Sequence, residues 1–411
     1  MSVTGLERAT VVLPDGAAGS RVVLDELSLL APDGELLVVL GPSGSGKSTL
    51  LRAIAGLTQV RSGRVLIQDR PVTALPSHQR DVAMVFEQDS LVPTLDIAQN
   101  LAFGLRLRHR PAAEIERQVS AQAGRLGLRS VLSRLPRQLS PGQRGQVGIG
   151  RALVRTPKVF LLDEPLAHLD AGQRWQMRRH LAEVLKGSGV TTFYVTHDQS
   201  DALAIADRVA VLRDGAVVQV GTPAQLYDEP VNLFVAGLLG SVPLGLLPAR
   251  LVAAGGGSGF QVGSRILPLW GPVPAGLSGS VGCEVVLGLR VEDVRDAGDH
   301  PDPAMPPLPG TVVRAEHTGP DLLVSISMAA APARSPDADP ADRALGSAQL
   351  RARFPRSARL APGSVVQVCL DVSRAHVFDT ETGEALSHPP LVGPEPPPDP
   401  SGPPFGNGAT G

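Results

Sequence analysis

The chain of 411 residues is poor in cysteine, lysine and aromatic side chains. Its two cysteines, Cys283 and Cys369, belong to no CxxC pair and to no Cys/His cluster. The sequence therefore predicts neither a disulfide framework nor a zinc site, and we expect both cysteines to be core thiols. Lysine occurs only at Lys47, Lys158 and Lys186, so the position of each lysine is informative.

A strong net charge is also absent. The 38 basic residues nearly balance the 40 acidic residues, which leaves a formal net charge of -2. Nucleic-acid-binding domains usually carry a clear basic excess, so we expect no nucleic acid partner. The length itself predicts two or three domains.

Long hydrophobic runs are missing as well. The first ten residues contain no apolar run, so we expect no secretory signal and a cytoplasmic location. The longest uncharged apolar stretch, Leu233 to Ala249, is interrupted by Pro243 and Pro248 and is too short to span a membrane as a helix. Any role at a membrane must then come through a partner.

Two parts of the chain differ in their pattern of apolar and polar residues. Over about residues 3–240, continuously apolar runs alternate with helix-like segments, which predicts a parallel sheet covered on both faces. Residues 88–155 are more helical and richer in arginine, and we interpret them as an inserted helical subdomain whose clearest helix is Glu114 to Leu126. Gly145, Gly148 and Gly150 weaken another helix there, at about 1 kcal/mol per glycine.

Past Pro243 the pattern changes to short alternating runs such as 310–316, 322–326 and 363–371. Glycine, proline and aspartate bound these runs, so the sequence predicts a small antiparallel β-barrel over residues 243–388. Residues 329–346 and the proline-rich tail 389–411 have few residues that could form a core. We expect both segments to be mobile and the tail to be disordered.

The most specific motif follows the apolar run at 36–40 and precedes a helix-like segment. It matches the pattern GxxxxGK[ST], and its residues are Gly41, Pro42, Ser43, Gly44, Ser45, Gly46, Lys47, Ser48 and Thr49. Such a glycine-rich loop turns backbone N–H groups toward the β- and γ-phosphates of a nucleotide. We expect Lys47 to neutralise phosphate charge, and the hydroxyl of Ser48 can ligate Mg²⁺.

A second motif places two carboxylates at the end of a buried strand. The apolar run 159–162 leads directly into Asp163 and Glu164. Ligands of open α/β sheets bind at the carboxyl edge of the strands. We therefore expect Asp163 to hold the hydration shell of Mg²⁺, and Glu164 to orient and polarise the attacking water.

Three further segments give the chain a resemblance to a known family. They are Leu139-Ser140-Pro141-Gly142-Gln143, Leu169-Asp170 and Val195-Thr196-His197-Asp198. With the two motifs above, the chain resembles the ATP-binding subunit of ATP-binding-cassette (ABC) transporters. Residues 221–241, 287–293, 316–319 and 376–379 make it most similar to the maltose and glycerol-3-phosphate importer type, over roughly residues 3–388.

The resemblance implies an α/β fold of the P-loop NTPase class. Its ABC cassette, at 3–240, combines a parallel-sheet core, an antiparallel β part and a helical subdomain, and an OB-like regulatory barrel follows at 243–388. It also implies a homodimer across two ATP molecules with Mg²⁺, in which the phosphate loop of one protomer faces the signature segment of the other. Ser140, Gly142, Gln143 and Asp170 then belong to the nucleotide site, and His197 hydrogen-bonds the γ-phosphate.

The residues themselves predict one detail of the signature segment. Ser140 and Gln143 have the spacing of a capping box, which opens a helix with its positive end toward an anion.

Partners also follow from the resemblance. Integral membrane permease subunits are expected to dock near Asp89–Gly104, with Leu91, Val92, Leu95 and Phe103 in the groove. An extracytoplasmic solute-binding protein belongs to the same system, and the chain is expected on the cytoplasmic side of the membrane as a peripheral subunit. ATP hydrolysis would then energise uptake of a sugar, a polyol or glycerol phosphate.

Several positions depart from the family pattern. Leu13 stands where an aromatic residue stacks on adenine, and Pro141 replaces the first signature glycine, which removes one N–H donor. Glu87 stands at the family's glutamine, beside the Mg²⁺ position, with Gln88 displaced by one residue, and His168 replaces an asparagine. We expect weaker nucleotide affinity and little preference for ATP over GTP.

These departures leave an alternative open, in which a weakly active subunit sequesters a cytoplasmic factor for regulation. A soluble ABC ATPase acting on ribosomes or DNA is disfavoured, because the chain has one cassette and no heptad repeat.

Overall fold

The structure is a computed structural model that describes residues 2–14, 19–86, 91–155, 157–167, 169–240, 242–254, 257–269, 273–298, 305–330, 333, 347–389 and 391. Glu87, Gln88, Asp89, His168, most of 329–346 and nearly all of the tail 389–411 lie outside the described residues. The chain divides into two compact units, Met1–Tyr227 and Asp228–Gly411.

The N-terminal unit contains two sheets and seven helices among its described residues. Its strands are β1 (Val3–Pro14), β2 (Ser20–Pro32), β3 (Leu36–Leu40), β4 (Ser62–Ile67), β5 (Arg70–Pro71), β6 (Val82–Val85), β7 (Val159–Asp163), β8 (Thr191–Thr196), β9 (Arg208–Arg213) and β10 (Ala216–Gly221). Its helices are α1 (Lys47–Ala55), α2 (Ile97–Leu107), α3 (Ala112–Arg125), α4 (Pro141–Leu153), α5 (Ala171–Ser188), α6 (Gln199–Ile205) and α7 (Pro223–Asp228), the last ending at the division.

The larger sheet has the order β10-β9-β3-β8-β7-β6, and all its pairs are parallel except β10 with β9. Strands β3, β7 and β8 are buried along their whole length, which explains why they have no polar alternation. The smaller sheet is antiparallel, with the order β2-β1-β4-β5. The predicted cassette architecture of parallel core, antiparallel part and helices is confirmed.

The strand order brings three motif-bearing segments to one edge. Strand β8 lies between β3 and β7, with Leu40 paired to Thr196 and Asp163 paired to Val195. Because parallel strands end on the same side of the sheet, the loops after β3, β7 and β8 meet there. The sheet therefore positions the phosphate loop, Asp163 and His197 next to one another.

Helix α4 forms despite its three glycines. A Cβ atom on Gly150 would lie 2.7 Å from Cδ2 of Leu101 and 2.9 Å from Cδ1 of Leu126, whereas one on Gly148 would meet nothing within 4 Å. Gly150 is thus required for close packing of α4 against α2 and the end of α3. Tertiary packing outweighs the poor helix propensity of this segment.

The C-terminal unit is built from antiparallel strands around one core. They are β11 (Gly245–Ala254), β12 (Gly257–Val262), β13 (Arg265–Leu269), β14 (Glu284–Leu289), β15 (Val294–Asp296), β16 (Leu308–His317), β17 (Asp321–Met328), β18 (Gln349–Pro355), β19 (Val365–Leu370), β20 (His376–Asp379) and β21 (Ala385–Ser387). They form two sheets, β13-β12-β11-β14-β20-β21 and β15-β19-β16-β17-β18, which enclose a shared hydrophobic core as in a small barrel.

Helix α8 (Leu233–Leu238) belongs to this second unit, since Leu233 and Ala236 pack with Val286 and Phe378. The division therefore falls earlier in the chain than the sequence boundary at 240–243.

The two cysteines differ in their surroundings. Cys369 is buried, as expected, but Cys283 is exposed, so the prediction of a core thiol is wrong for Cys283. Its backbone N–H bonds the carbonyl of Ser280 in a turn before β14, which holds it at the surface. Among the helices that the structure describes, none is both long and apolar enough to cross a bilayer.

Candidate nucleotide site

The phosphate loop connects β3 to α1 and depends on its glycines. Gly44 and Gly46 have φ values of 83° and 104°, a region that favours glycine. A Cβ atom on Gly41 would lie 2.2 Å from the carbonyl oxygen of Leu212, and one on Gly46 would lie 2.8 Å from Cδ2 of Leu24. The glycines are therefore needed both for the turn and for close packing.

Lys47 is buried, and its side chain is hydrogen-bonded to the backbone of the phosphate loop. Its ammonium donates to the carbonyls of Gly41 and Pro42, both at 2.8 Å. Burial lowers the pKa of Lys47, and the nearby carboxylates Glu164 and Asp163 act in the opposite direction. The one cation of the loop is thus partly desolvated and faces two acidic groups.

The loop suits an anion. The hydroxyl oxygen of Ser45 is buried and has no hydrogen-bond partner within the described part of the chain, while Pro42, Ser43 and Gly44 are exposed. Helix α1 has no acidic residue in its first turn, so nothing on α1 itself opposes the positive end of the helix dipole. Thr49 follows in that turn and is half-buried. These features fit a bound phosphate chain.

Ser48 and Asp163 form a pair of oxygen donors beside the loop. The hydroxyl of Ser48 donates to Oδ1 of Asp163 at 2.9 Å, and Asp163 is buried at the end of β7. Hydroxyl and carboxylate oxygens are the hard ligands that Mg²⁺ takes, usually with several waters kept. The donor set therefore fits the ion predicted from the sequence.

Glu164 and His197 contact each other across the ends of β7 and β8. Nδ1 of His197 lies 2.8 Å from Oε2 of Glu164. Glu164 has a φ of 46°, a strained value for a residue with a side chain, and its N–H donates to the carbonyl of Val195 at 3.0 Å. The sheet thus holds this carboxylate in one place beside the phosphate loop.

The sequence of the chain is similar to those of known proteins. A profile of the family described as "ABC transporter" matches residues 24–167. The chain is 39% identical to the trehalose/maltose import ATP-binding protein MalK of Thermococcus litoralis, over 90% of this chain and 96% of that protein. It is 38% identical to the sn-glycerol-3-phosphate import ATP-binding protein UgpC of Cupriavidus pinatubonensis, over 90% and 96%. It is also 38% identical to the trehalose import ATP-binding protein SugC of Mycobacterium tuberculosis, over 93% and 98%.

The chain belongs to the ATP-binding subunits of ABC transporters. It is accordingly an ATPase whose cassette binds ATP.

The signature segment of this ABC subunit opens helix α4 as predicted. The hydroxyl of Ser140 accepts from the N–H of Gln143, and the N–H of Ser140 donates to the side chain of Gln143, both at 3.2 Å. Pro141 occupies the first helical position, where a missing N–H costs no hydrogen bond within the helix. Ser140, Gly142 and Gln143 line a shallow cavity of about 280 Å³ together with Gln173 of α5.

Asp170 and Leu13 have separate surroundings. The carboxylate of Asp170 accepts from the N–H of Gln173 at 2.9 Å and so caps helix α5.

Leu13 lies on β1 opposite Arg21 and packs against the core of the N-terminal unit. Two residues earlier, Val11 pairs with Leu24, the residue that packs on Gly46, so Leu13 lies on the hairpin that adjoins the phosphate loop.

A second cavity of the cassette has a volume of about 240 Å³. It lies between the end of β6, helix α2 and helix α4, and Phe86, Phe103 and Leu107 are among the side chains that line it. Of the residues expected in a docking groove, Phe103 is in this lining. Val92 and Leu95 precede α2, where the buried side chain of Asn100 binds their backbone.

Sequence reasoning missed Gln173 and Arg174 at the start of α5. The side-chain oxygen of Gln173 lies 2.7 Å from the place where a Cβ atom of Gly142 would be, so it packs over the signature glycine. Arg174 contacts the loops that carry Glu164 and His197. Neither residue belongs to a local motif, so no pattern in the sequence points to them.

Proposed function

We propose that this protein is the ATP-hydrolysing motor of an importer for a sugar, a polyol or glycerol phosphate. The observation that carries the proposal is the meeting of two pairs, Ser48 with Asp163 and Glu164 with His197, at one sheet edge beside Lys47. The names of the relatives favour import over the regulatory alternative, because each is called an import ATP-binding protein.

In this proposal the phosphate loop, 41–49, binds the β- and γ-phosphates through its N–H groups and Lys47. Ser48 and Asp163 would hold Mg²⁺, which would supply charge neutralisation on the phosphates. The sequence pattern assigns Glu87 or Gln88 to the same site. Glu164 orients the attacking water and accepts its proton. Leu13 gives the adenine an apolar contact instead of an aromatic one.

The two ring nitrogens of His197 have different partners in this proposal. Nδ1 lies 2.8 Å from Oε2 of Glu164, so Nε2 is the nitrogen left to contact the γ-phosphate. His197 thus links the state of the phosphate to the position of Glu164.

The second half of the site comes from another copy of the chain. The positive end of α4, with Ser140, Gly142 and Gln143, faces the phosphates bound to the partner. Asp170 belongs to the same half-site, since it follows Leu169, which lines the same cavity. Two ATP molecules then join a homodimer. Closure of the dimer on ATP, and its opening after hydrolysis, is the motion that drives transport.

Permease subunits dock at the cavity lined by Phe86, Phe103 and Leu107. The side chains of Phe86 and Leu107 are 41% and 65% exposed, which leaves apolar surface for a short cytoplasmic helix of the partner. The chain is then a peripheral subunit on the cytoplasmic side of the membrane, and an extracytoplasmic solute-binding protein delivers the solute. No nucleic acid takes part.

Co-purification in detergent tests the importer assignment. We expect permease subunits to remain bound to the parent chain and to be lost with Leu107→Glu, which places a charge in the cavity lining. Leu57→Glu is the matched control, since Leu57 is 52% exposed in the same unit and lies outside that lining. If neither variant nor parent retains permease subunits, the importer assignment is wrong and the regulatory alternative replaces it.

A further inference from the structure

Arg174 of α5 binds two loops at once. Its Nη1 donates to Oδ2 of Asp198 at 3.0 Å, and its Nη2 donates to the carbonyls of Ala167 and Leu169 at 3.2 and 3.1 Å. Asp198 directly follows His197, and Ala167 lies three residues after Glu164. One guanidinium group therefore contacts both segments that carry the proposed catalytic pair.

These contacts complete a closed ring of interactions. The N–H of Ala167 donates to the carbonyl of Glu164 at 3.2 Å, and Glu164 contacts His197 at 2.8 Å. The ring then runs through the backbone to Asp198 and returns through Arg174 to Ala167. Glu164 and His197 are thus joined directly on one side and through Arg174 on the other.

Asp198 is fixed in this ring. Its Oδ1 accepts from the N–H of Ser200 at 2.8 Å at the start of α6, and its own N–H donates to the hydroxyl of Thr196 at 2.9 Å. The pKa of Asp198 is below its usual value: burial raises it, but the bonds from Ser200 and Arg174 outweigh burial. Asp198 is therefore a stable anionic partner for the guanidinium.

A second arginine on the same helix makes a useful comparison. Arg178 donates from Nε to Oδ1 of Asp201 at 2.7 Å and lies 3.7 Å from Oδ2 of Asp198. It joins α5 to α6, and it makes no hydrogen bond to the described residues of the loop after β7. Arg178 thus shares the helix and one carboxylate with Arg174 but not the contacts to Ala167 and Leu169.

We infer that Arg174 is a positioning residue that fixes the positions of Glu164 and His197 relative to each other. It acts on the loops and not on the nucleotide, and the inference rests on the proposed roles of Glu164 and His197. A planar guanidinium donates in two directions at fixed geometry, whereas an ammonium group on lysine cannot reproduce the same fork. The type of cation should therefore matter, and not its charge alone.

The test compares Arg174→Gln and Arg174→Lys with Arg178→Gln in the full chain. For Arg174→Gln we expect kcat to fall by about 10- to 100-fold, as small displacements of catalytic groups can cause, with KM changed less than about twofold. Arg174→Lys should recover only part of the loss. Arg178→Gln should keep kcat within about threefold of the parent, since the ring remains closed.

Hydrogen exchange and nucleotide binding give readouts besides turnover. Arg174→Gln should speed amide exchange in 164–170 and 196–199 together, while the affinity for a fluorescent ATP analogue stays at the parent value. If Arg174→Gln folds poorly, Asp198→Asn removes the same ion pair from the other side and keeps a side chain that can cap α6.

The outcomes separate this inference from the proposed function. If the parent hydrolyses ATP and Arg174→Gln has the same kcat, the positioning role is wrong and the ATPase assignment stays in place. Equal losses in Arg174→Gln and Arg178→Gln would also overturn it, because the helix contact alone would then explain the effect. A selective loss in Arg174→Gln with loosened exchange in both loops supports it.

Discussion

Nδ1 of His197 lies 2.8 Å from Oε2 of Glu164, although the two residues are 33 positions apart in the chain. The contact exists because β7 and β8 are neighbours and both end at the edge where the phosphate loop begins. The carboxylate that we propose to act on water and the ring that we propose to contact a phosphate are therefore in direct contact. This pair is the natural target of the first experiment.

Glu164→Gln should trap a closed dimer in ATP. The amide keeps the shape of the side chain but cannot accept the proton of water, so bound ATP persists and holds two protomers together. Size-exclusion chromatography with and without ATP measures this directly. As a control, adding Lys47→Ala to Glu164→Gln should abolish the ATP-induced dimer. If Glu164→Gln binds ATP but forms no dimer, the signature segment that contains Pro141 does not close the dimer without a partner.

Leu13→Tyr should tighten nucleotide binding. An aromatic ring at this position can stack on the base, and such stacking contributes about 1 to 3 kcal/mol, so we expect affinity for ATP to rise by about 5- to 150-fold. The parent should bind ATP and GTP with similar affinity. Val22→Tyr on the neighbouring strand is the control, because Val22 is 51% exposed. An unchanged affinity in Leu13→Tyr would show that Leu13 does not face the base.

Gly150→Ala and Gly148→Ala should change stability in opposite directions. Alanine gains about 1 kcal/mol over glycine in a helix, but at Gly150 the new Cβ would meet Leu101 and Leu126 below 3 Å. Overpacking costs about 1 to 3 kcal/mol, so the net effect at Gly150 is a loss. At Gly148 no atom lies within 4 Å of the added Cβ, so the gain remains.

Thermal unfolding of the two alanine variants measures this difference. A stabilised Gly150→Ala would show that α4 moves away from α2 at little cost.

His376 should make the chain less stable in mild acid. Burial lowers the pKa of His376 to about 3, with smaller contributions from Arg290 and His388, against an ordinary value of 6.5. Between these pH values the unfolded chain binds a proton that the folded chain does not. The free energy of unfolding therefore falls as pH falls through this window, by about 1.4 kcal/mol per pH unit for this one group.

The comparison is between the parent and His376→Phe, unfolded in urea at pH 7, 6 and 5. Phenylalanine keeps an aromatic ring beside Phe378 but has no group to protonate. The parent should lose stability more steeply than the variant below pH 6.5. Parallel losses would mean that His376 is solvated or partnered in the folded chain.

The sequence by itself determined the parts of the site that are contiguous. The phosphate loop, the strand ending in Asp163 and Glu164, and the capping box of Ser140 with Gln143 each consist of neighbouring residues, so a local pattern reveals each of them. The alternation of apolar runs also determined the parallel core and the antiparallel second unit.

Only the tertiary structure decided how these parts meet. The strand order brings His197 into contact with Glu164. The guanidinium of Arg174 links Asp198 to Ala167. The packing of Leu101 and Leu126 requires glycine at position 150. Burial gave His376 its low pKa, although nothing in its neighbouring sequence distinguishes it from an exposed histidine. Such contacts join residues distant in the chain, so their energies depend on distances that no local pattern records.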